Sequence, residues 1–366
     1  MIGGFLGAGK TTAVAALAKH LSEQGLRVGL ITNDQGTNLV DTAMLRSRGF
    51  ATEEISGGCF CCRFNSLTDA AQKLTDETRP DVFVAEPVGS CTDLVATVTY
   101  PLRRIYGGNF LIAPLSVLVD PIRALRIFGV EQGGKFSDKV LYIFRKQLAE
   151  ADVIVLNKTD LLTAEQSAQL EAVFAREFPQ ATLFKTSARD GSGLAEWFHH
   201  IQTELQQASA AVPLDYDIYA EGEALLGWLN CTLELSSGEG IDANAALKEI
   251  AKLIQCELGR HAVEIGHLKM TVSPDVGFGD VAVINLVRND YIAELSQSLE
   301  EPVHRAQMII NLRAEASPEL LRDTVLKAVT DVQNETPGLK LVVDHLEHFR
   351  PGRPNPTHRL LTPAHE

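Results

Sequence analysis

The chain has 366 residues, with 33 basic against 47 acidic side chains and a net charge of −14. That balance disfavours binding to a phosphate backbone, so nucleic acid is not an expected partner. The longest apolar stretch, Leu111 to Val119, is broken by Pro114 and Ser116 and reaches about half the length that spans a bilayer, so no membrane is expected either. The first residues lack the basic, apolar, small-residue order of a secretory leader. Three of the 6 cysteines fall within four residues, which does not look like a disulfide framework, and a reducing cytoplasm is the expected compartment.

Taken in chain order, short apolar runs alternate with amphipathic stretches of helical length up to about residue 207. The predicted strands are Arg27–Asn33, Asp81–Ala85, Leu115–Val119, Val153–Leu156 and Ala181–Lys185. The predicted helices are Lys10–Gln24, Phe64–Thr78, Lys135–Ala149, Ala164–Phe178 and Gly193–Gln207. This alternation predicts an α/β fold, a doubly wound and mostly parallel sheet with its ligands beyond the carboxyl ends of the strands. Residues 208–223, aperiodic and containing Pro213, read as a linker. Residues 224–349 change rhythm, with strands at Trp228–Leu235, Glu264–Ser273, Val281–Val287, Gln307–Arg313 and Leu339–Asp344 and helices at Asn244–Leu258 and Pro318–Asn334. That order predicts a smaller α+β domain of ferredoxin-like type. The proline-bearing stretch 350–366 is expected to be an extended tail.

Gly4-Phe5-Leu6-Gly7-Ala8-Gly9-Lys10-Thr11 satisfies every fixed position of G-x-x-x-x-G-K-[ST]. Such a loop aims backbone N–H groups at a polyphosphate and presents the positive end of the following helix. Gly4, Gly7, Ala8 and Gly9 would form the cradle, Lys10 would meet the β- and γ-phosphates, and Thr11, followed by Thr12, would reach Mg²⁺. Only Met1, Ile2 and Gly3 precede the loop, so the first strand is either a stub or incomplete.

Asn157-Lys158-Thr159-Asp160 follows the strand Val153–Leu156. A carboxylate at the fourth position accepts from N1–H and the 2-amino group of guanine. Adenine would leave Asp160 desolvated and unpaired, which selects GTP and GDP over adenine nucleotides by about 10⁴-fold or more. Lys158 would lie along the base and Asn157 would brace the loop. Ser187 and Ala188, after the next strand, are candidates for a further guanine contact.

Gly57-Gly58-Cys59-Phe60-Cys61-Cys62 places three thiols behind two glycines. Neighbouring cysteines diverge on a strand, so a tight turn is needed for convergence, and the glycines allow one. Thiolates select Zn²⁺, with Co²⁺ and Cu⁺ behind, and three local ligands suit a releasable ion. A redox pair or an iron–sulfur site are the competing readings. Cys91, Cys231 and Cys256 are each isolated in sequence and are expected to pack; His345 and His348 have the spacing of one helical turn.

Together these segments resemble the CobW-like family of metallochaperone GTPases, within the SIMIBI class of P-loop proteins. The matching pieces are Gly3–Thr12, Asn33–Gly36, Gly57–Cys62, Glu86–Ser90 and Asn157–Asp160, in the family's order. The resemblance implies slow, Mg²⁺-dependent GTP hydrolysis, Zn²⁺ or Co²⁺ at Cys59, Cys61 and Cys62, and nucleotide-controlled delivery to a metal-requiring client protein. It also implies a switch loop at Asn33, Asp34 and Gly36, and a Glu86 that positions water or reaches Mg²⁺ through water. Asp34 stands where the family pattern has the longer Glu. A regulatory switch that senses metal, a small-molecule kinase and a homodimerisation role for the second domain remain as alternatives.

Overall fold

Buried strands flanked by helices on both sides read as unbroken apolar runs, and the first half folds on such runs. The computed structural model describes residues 1–34, 40–206, 211–275 and 280–362. Its contacts divide the chain into two units, Met1–Gln35, Phe50–Gly222 and Arg353–Glu366 in one, and Gly36–Gly49 and Glu223–Gly352 in the other.

In the first unit β1 (Ile2–Gly4) leads to α1 (Lys10–Glu23) and β2 (Val28–Asn33). The helix α2 (Val40–Ser47) belongs to the other unit. The chain continues through β3 (Ala51–Ile55), α3 (Phe64–Thr78), β4 (Val82–Glu86), α4 (Tyr100–Tyr106), β5 (Ser116–Val119), α5 (Pro121–Ile127) and α6 (Asp138–Ala149). It ends with β6 (Val153–Leu156), α7 (Ala164–Glu177), β7 (Thr182–Lys185) and α8 (Leu194–Thr203). The strands pair in parallel in the orders β3-β2-β4 and β1-β5-β6-β7, and β4 lies beside β1. Every residue of β2, β5 and β6 is buried, as a doubly covered parallel sheet requires. The predicted α/β fold is observed, and Asn33, Glu86, Asp120, Asn157 and Thr186 all stand at carboxyl ends of its strands. That edge is where such sheets bind ligands.

The helix α9 (Tyr216–Leu225) begins inside the stretch expected to be a linker, while residues 207–210 of that stretch lie outside the described ones. The second unit runs β8 (Gly227–Ile241), α10 (Ala243–Arg260), β9 (Ile265–Pro274), β10 (Ala282–Leu286), β11 (Glu294–Gln297), β12 (Val303–Ala314), α11 (Pro318–Glu335) and β13 (Leu339–Phe349). Its antiparallel sheet has the order β11-β10-β9-β12-β8-β13. The four strands β13-β8-β12-β9, with the two helices as crossovers, make the ferredoxin-like plan, and β10 and β11 extend one edge. Alternate residues of β8 (Leu229, Cys231, Leu233, Leu235) bury against Leu268, Met270, Ile310 and the apolar stripes of α10 and α11. The intervening residues give a polar face that is nonetheless buried: Arg313 donates to Leu229 O and Asn230 Oδ1 and stacks on Trp228 with its guanidinium carbon 4.1 Å from the ring centre. On that face lies α2, whose Val40 N–H donates to Asn311 Oδ1 at 3.0 Å and whose Asp41 pairs with Lys269 at 2.6 Å. His345 and His348 sit on β13, not on a helical turn.

Candidate functional site

The loop from β1 to α1 uses glycine where no other residue fits. Gly4, Gly7 and Gly9 hold φ of 135°, 77° and 92°. A Cβ on Gly4 would stand 2.4 Å from Leu118 O, and one on Gly9 would stand 2.5 Å from Asn157 Nδ2. Lys10 and Thr11 are buried as α1 begins, and Thr12 faces out. Thr11 Oγ1 donates to Glu86 Oε1 at 3.0 Å, bringing the two residues expected at Mg²⁺ together. The Lys10 ammonium lies beside Gly89, where a Cβ would approach Nζ to 3.2 Å and Leu6 Cδ2 to 2.6 Å. The donor set therefore fits a polyphosphate with a hard divalent cation.

Across the same edge, Asn157 is buried and ties three segments together. Its Nδ2 donates to Ala8 O at 2.9 Å, and its Oδ1 accepts from Ala188 N–H at 3.0 Å and Thr186 Oγ1 at 3.3 Å. Lys158 takes a left-handed conformation (φ 57°). Its Nζ donates to Gly7 O at 2.6 Å and to Asp120 Oδ2 at 2.8 Å. Asp160 stays exposed, free of the sheet and open to a base. Ser187 is fully buried. Asp120 was not singled out from the sequence, although a strand followed by Asp-Pro is a helix-start signal: it caps α5 by accepting from Arg123 N–H at 3.0 Å.

The three thiols of the Gly57–Cys62 segment do converge. Gly57 and Gly58 hold φ of 74° and 150°, and the N–H groups of Cys62 and Arg63 both donate to Cys59 O, at 3.0 and 2.9 Å. This turn aims the sulfurs at one point: Cys59 to Cys61 is 2.7 Å, Cys59 to Cys62 is 3.5 Å and Cys61 to Cys62 is 3.7 Å. Cys59 and Cys61 are buried and Cys62 is half-buried. Hydrogen bonds from Cys61 and then Cys62 hold the Cys59 thiol well below its ordinary value. Its partnership with Cys59 pushes Cys61 well above its own, and Cys62 rises to about 11, again chiefly through Cys59. Three sulfurs converging in a largely buried turn make a soft pocket that suits a thiophilic cation. Among the described residues this trio is the one cluster of metal-ligating side chains whose ligand atoms all lie within 4.8 Å of one another.

The thiol loop is wired to the end of β2. Asn33 Nδ2 donates to Gly58 O at 2.7 Å and to Ile55 O at 3.0 Å, and Asp34 N–H donates to Ile55 O at 3.1 Å. Gly36, the last expected switch residue, lies outside the described residues. A second set of contacts was not foreseen. Residues 353–362 run along the thiol loop: Asn355 N–H donates to Cys62 Sγ at 3.2 Å, Thr357 N–H to Cys61 O at 2.8 Å and Thr357 Oγ1 to Cys62 O at 3.1 Å. His358 packs edge-on against Phe64, and Arg359 Nε pairs with Asp93 Oδ2 at 2.7 Å, which also accepts from Tyr216 Oη at 2.7 Å. One reading of the isolated cysteines needs correction: Cys256 is exposed rather than packed, whereas Cys91 and Cys231 are both buried as expected.

The description CobW/HypB/UreG, nucleotide-binding domain, matches residues 1–185. The chain belongs to this family. Family relatives include the zinc chaperone CobW of a Sinorhizobium species, 32% identical over 185 residues, which are 45% of this chain and 51% of the relative. The zinc chaperone YeiR of Escherichia coli is 33% identical over 175 residues, 47% of this chain and 49% of the relative. The chain thus spans about half the length of these curated relatives. Among solved structures, nickel-bound HypB of Helicobacter pylori aligns with 54% of this chain and 82% of its own, at 20% identity and a TM-score of 0.39. Zinc-bound YjiA of Escherichia coli aligns with 89% of this chain and 97% of its own, at 16% identity and a TM-score of 0.34. No helix among the described residues is long and apolar enough to cross a membrane.

Proposed function

We propose that this chain is a cytoplasmic, slow, Mg²⁺-dependent GTPase that carries a thiophilic metal ion, Zn²⁺ before Co²⁺, and passes it to a metal-requiring client under nucleotide control. The observation that carries the reading is the bond from Asn33, at the switch end of β2, to Gly58 of the loop on which the three sulfurs converge. A change at the nucleotide is thereby one hydrogen bond from the thiols. Membership of the family supports GTP as the nucleotide, and the zinc chaperones among the relatives support the metal and its delivery.

In this reading the P-loop amides and Lys10 hold the β- and γ-phosphates, while Thr11, with Glu86 behind it, holds Mg²⁺. The ion supplies charge neutralisation to the phosphoryl group; positioning and electrostatics do most of the work in phosphoryl transfer. Glu86 or Asp34 orients the attacking water. Asp160 reads the guanine edge, Lys158 flanks the base, and Asn157 holds the base-reading loop against the P-loop through Ala8 O. The exposed Asp160 would be satisfied by guanine and left unpaired by adenine.

The test is a competition titration of Zn²⁺ and Co²⁺ on the reduced full chain, with GDP or a non-hydrolysable GTP analogue present. Affinities should differ at least several-fold between the two states, a coupling of about 1–3 kcal/mol. Identical affinities would sink nucleotide-controlled delivery, and binding without transfer to an apo-metalloprotein would favour a sensor over a carrier.

A further inference from the structure

Residues 353–362 belong to the same unit as the three thiols and run along the loop that carries them, bonded to it by main chain and side chain. We propose that this segment is a strap that gates the thiol site, so that an ion enters or leaves only while the strap is lifted from Cys62. The gate deepens the metal-carrier reading and rests on it.

Burial decides where an ion can pass. Cys59 and Cys61 are 3% and 1% exposed, and Phe60 and Phe64, their neighbours in the chain, are buried as well. Cys62 is half-buried, so the trio meets solvent on the Cys62 side. That is the residue the strap grips. Asn355 N–H donates to Cys62 Sγ at 3.2 Å, and Thr357 Oγ1 donates to Cys62 O at 3.1 Å. Next to it, Thr357 N–H donates to Cys61 O at 2.8 Å. Two residues of the strap thus close three bonds onto the one turn that presents the sulfurs.

Anchors beyond the thiols keep the strap in place. His358 packs edge-on against Phe64 with ring centres 5.0 Å apart. Arg359 Nε donates to Oδ2 of the buried Asp93 at 2.7 Å, and its guanidinium carbon lies 5.4 Å from the centre of the Tyr216 ring. Leu360 N–H donates to Ala96 O at 2.9 Å, and Leu361 O accepts from Ala211 N–H at 3.1 Å. Residues 353–362 belong to no helix or strand. A segment held by separate contacts, each of modest net worth, opens locally without unfolding what lies beneath it. Of these contacts only that of Asn355 ends on a sulfur; the others end on main-chain groups, rings or the Asp93 carboxylate. Closure is therefore nearly indifferent to whether an ion is bound. A gate of that kind scales entry and exit by one common factor and leaves affinity alone.

The decisive measurement is stopped-flow binding and chelator-driven release of Co²⁺ and Zn²⁺ on the reduced full chain, with equilibrium affinity measured alongside. Arg359→Ala removes the anchor at Asp93, and Thr357→Val removes the hydroxyl bond to Cys62 O; both residues are exposed. Each variant should raise the entry and release rates by the same factor, at least about threefold, the size expected for loss of one such bond. Affinity should stay within about twofold of wild type, since closure serves the empty and loaded site alike. Rates unchanged in both variants would overturn the gate and leave three-thiol carriage intact. Faster release with weaker affinity and unchanged entry would also overturn it, because the segment would then stabilise the bound ion instead of barring its path. A wild-type chain that binds neither metal would remove the gate and the carrier reading together.

Discussion

Replacing Glu150 by Gln should stabilise the metal-free protein at neutral pH, because this carboxyl is buried where it holds the loop after β4. Thr92 Oγ1 lies 2.9 Å from Glu150 Oε1, and Val95 N–H donates to Oε2 at 3.2 Å. Burial first, opposed by Val95 N–H and reinforced by the nearby Asp93 charge, raises the carboxyl from 4.5 to about 8. Between those values the folded chain keeps a proton that the unfolded chain has released, so stability falls as pH rises through the window and levels off above it. At pH 7 the gap of 2.5 units from the ordinary 4.5 corresponds to about 3 kcal/mol, at about 1.4 kcal/mol per unit. A carboxamide avoids that term and fits the same contacts, its oxygen accepting from Val95 and its NH₂ donating to the rotatable Thr92 hydroxyl. Hydrogen exchange read by mass spectrometry on peptides from residues 86–100, at pH 5 to 8, measures the difference. The variant should be nearly equal to wild type at the acid end and more stable by about 3 kcal/mol at pH 7. A difference that does not change with pH would show that Glu150 ionises normally, and the account of this buried clamp would be wrong.

Four further outcomes are expected. Asp160→Asn should relax the preference for guanine and favour xanthine nucleotides by reversing the donor–acceptor match, read by equilibrium binding; unaltered selectivity would exclude Asp160 from base reading. Gly89→Ala places a Cβ 2.6 Å from Leu6 Cδ2 and 3.2 Å from Lys10 Nζ, so triphosphate affinity should fall at least about tenfold, about 1.4 kcal/mol, with a smaller effect on GDP; equal losses for both nucleotides would point to general loop damage. Asn33→Ala should reduce the nucleotide dependence of metal affinity toward unity while metal binding itself persists, and retention of the full dependence would exclude the Asn33–Gly58 bond as the link. Arg359→Ala removes the partner of Asp93 and should speed alkylation of Cys62 by iodoacetamide several-fold; an unchanged rate would mean that residues 353–362 do not shield the thiol.

Most of the first unit was legible because buried parallel strands are written as unbroken apolar runs, and Val28–Asn33 and Val153–Leu156 are both of that kind. The strand Ala51–Ile55 was not, since it carries Glu53 and Glu54 and pairs on one side, with Val28–Asn33. The P-loop and the Asn157–Asp160 turn were readable because their chemistry depends on spacing within a few residues. Asp120 and the 353–362 segment were not, because their roles arise from contacts across 38 and nearly 300 positions, as in Lys158–Asp120 and Cys62–Asn355. A single cysteine has no periodicity, and the reading of Cys256 as packing failed where those of Cys91 and Cys231 held. The polar face of the C-terminal sheet was hidden for a related reason: Asn230, Asn311 and Arg313 alternate with apolar residues as a solvated face would, yet all three are buried.

The loop from Glu86 to Cys91 ties these observations to a mechanism. Glu86 accepts from Thr11, Gly89 abuts Lys10, and Cys91 is buried, all within six residues. Fully extended, such a span covers only about 20 Å, and here it is held by Gln147 at Gly89 and Cys91 and by Glu150 at Thr92 and Val95. A segment pinned at several points cannot take up a displacement by slack, so a shift imposed at Glu86 or Gly89 must appear at Cys91. The Asn33–Gly58 bond offers a second route, from the end of β2 to the thiol loop.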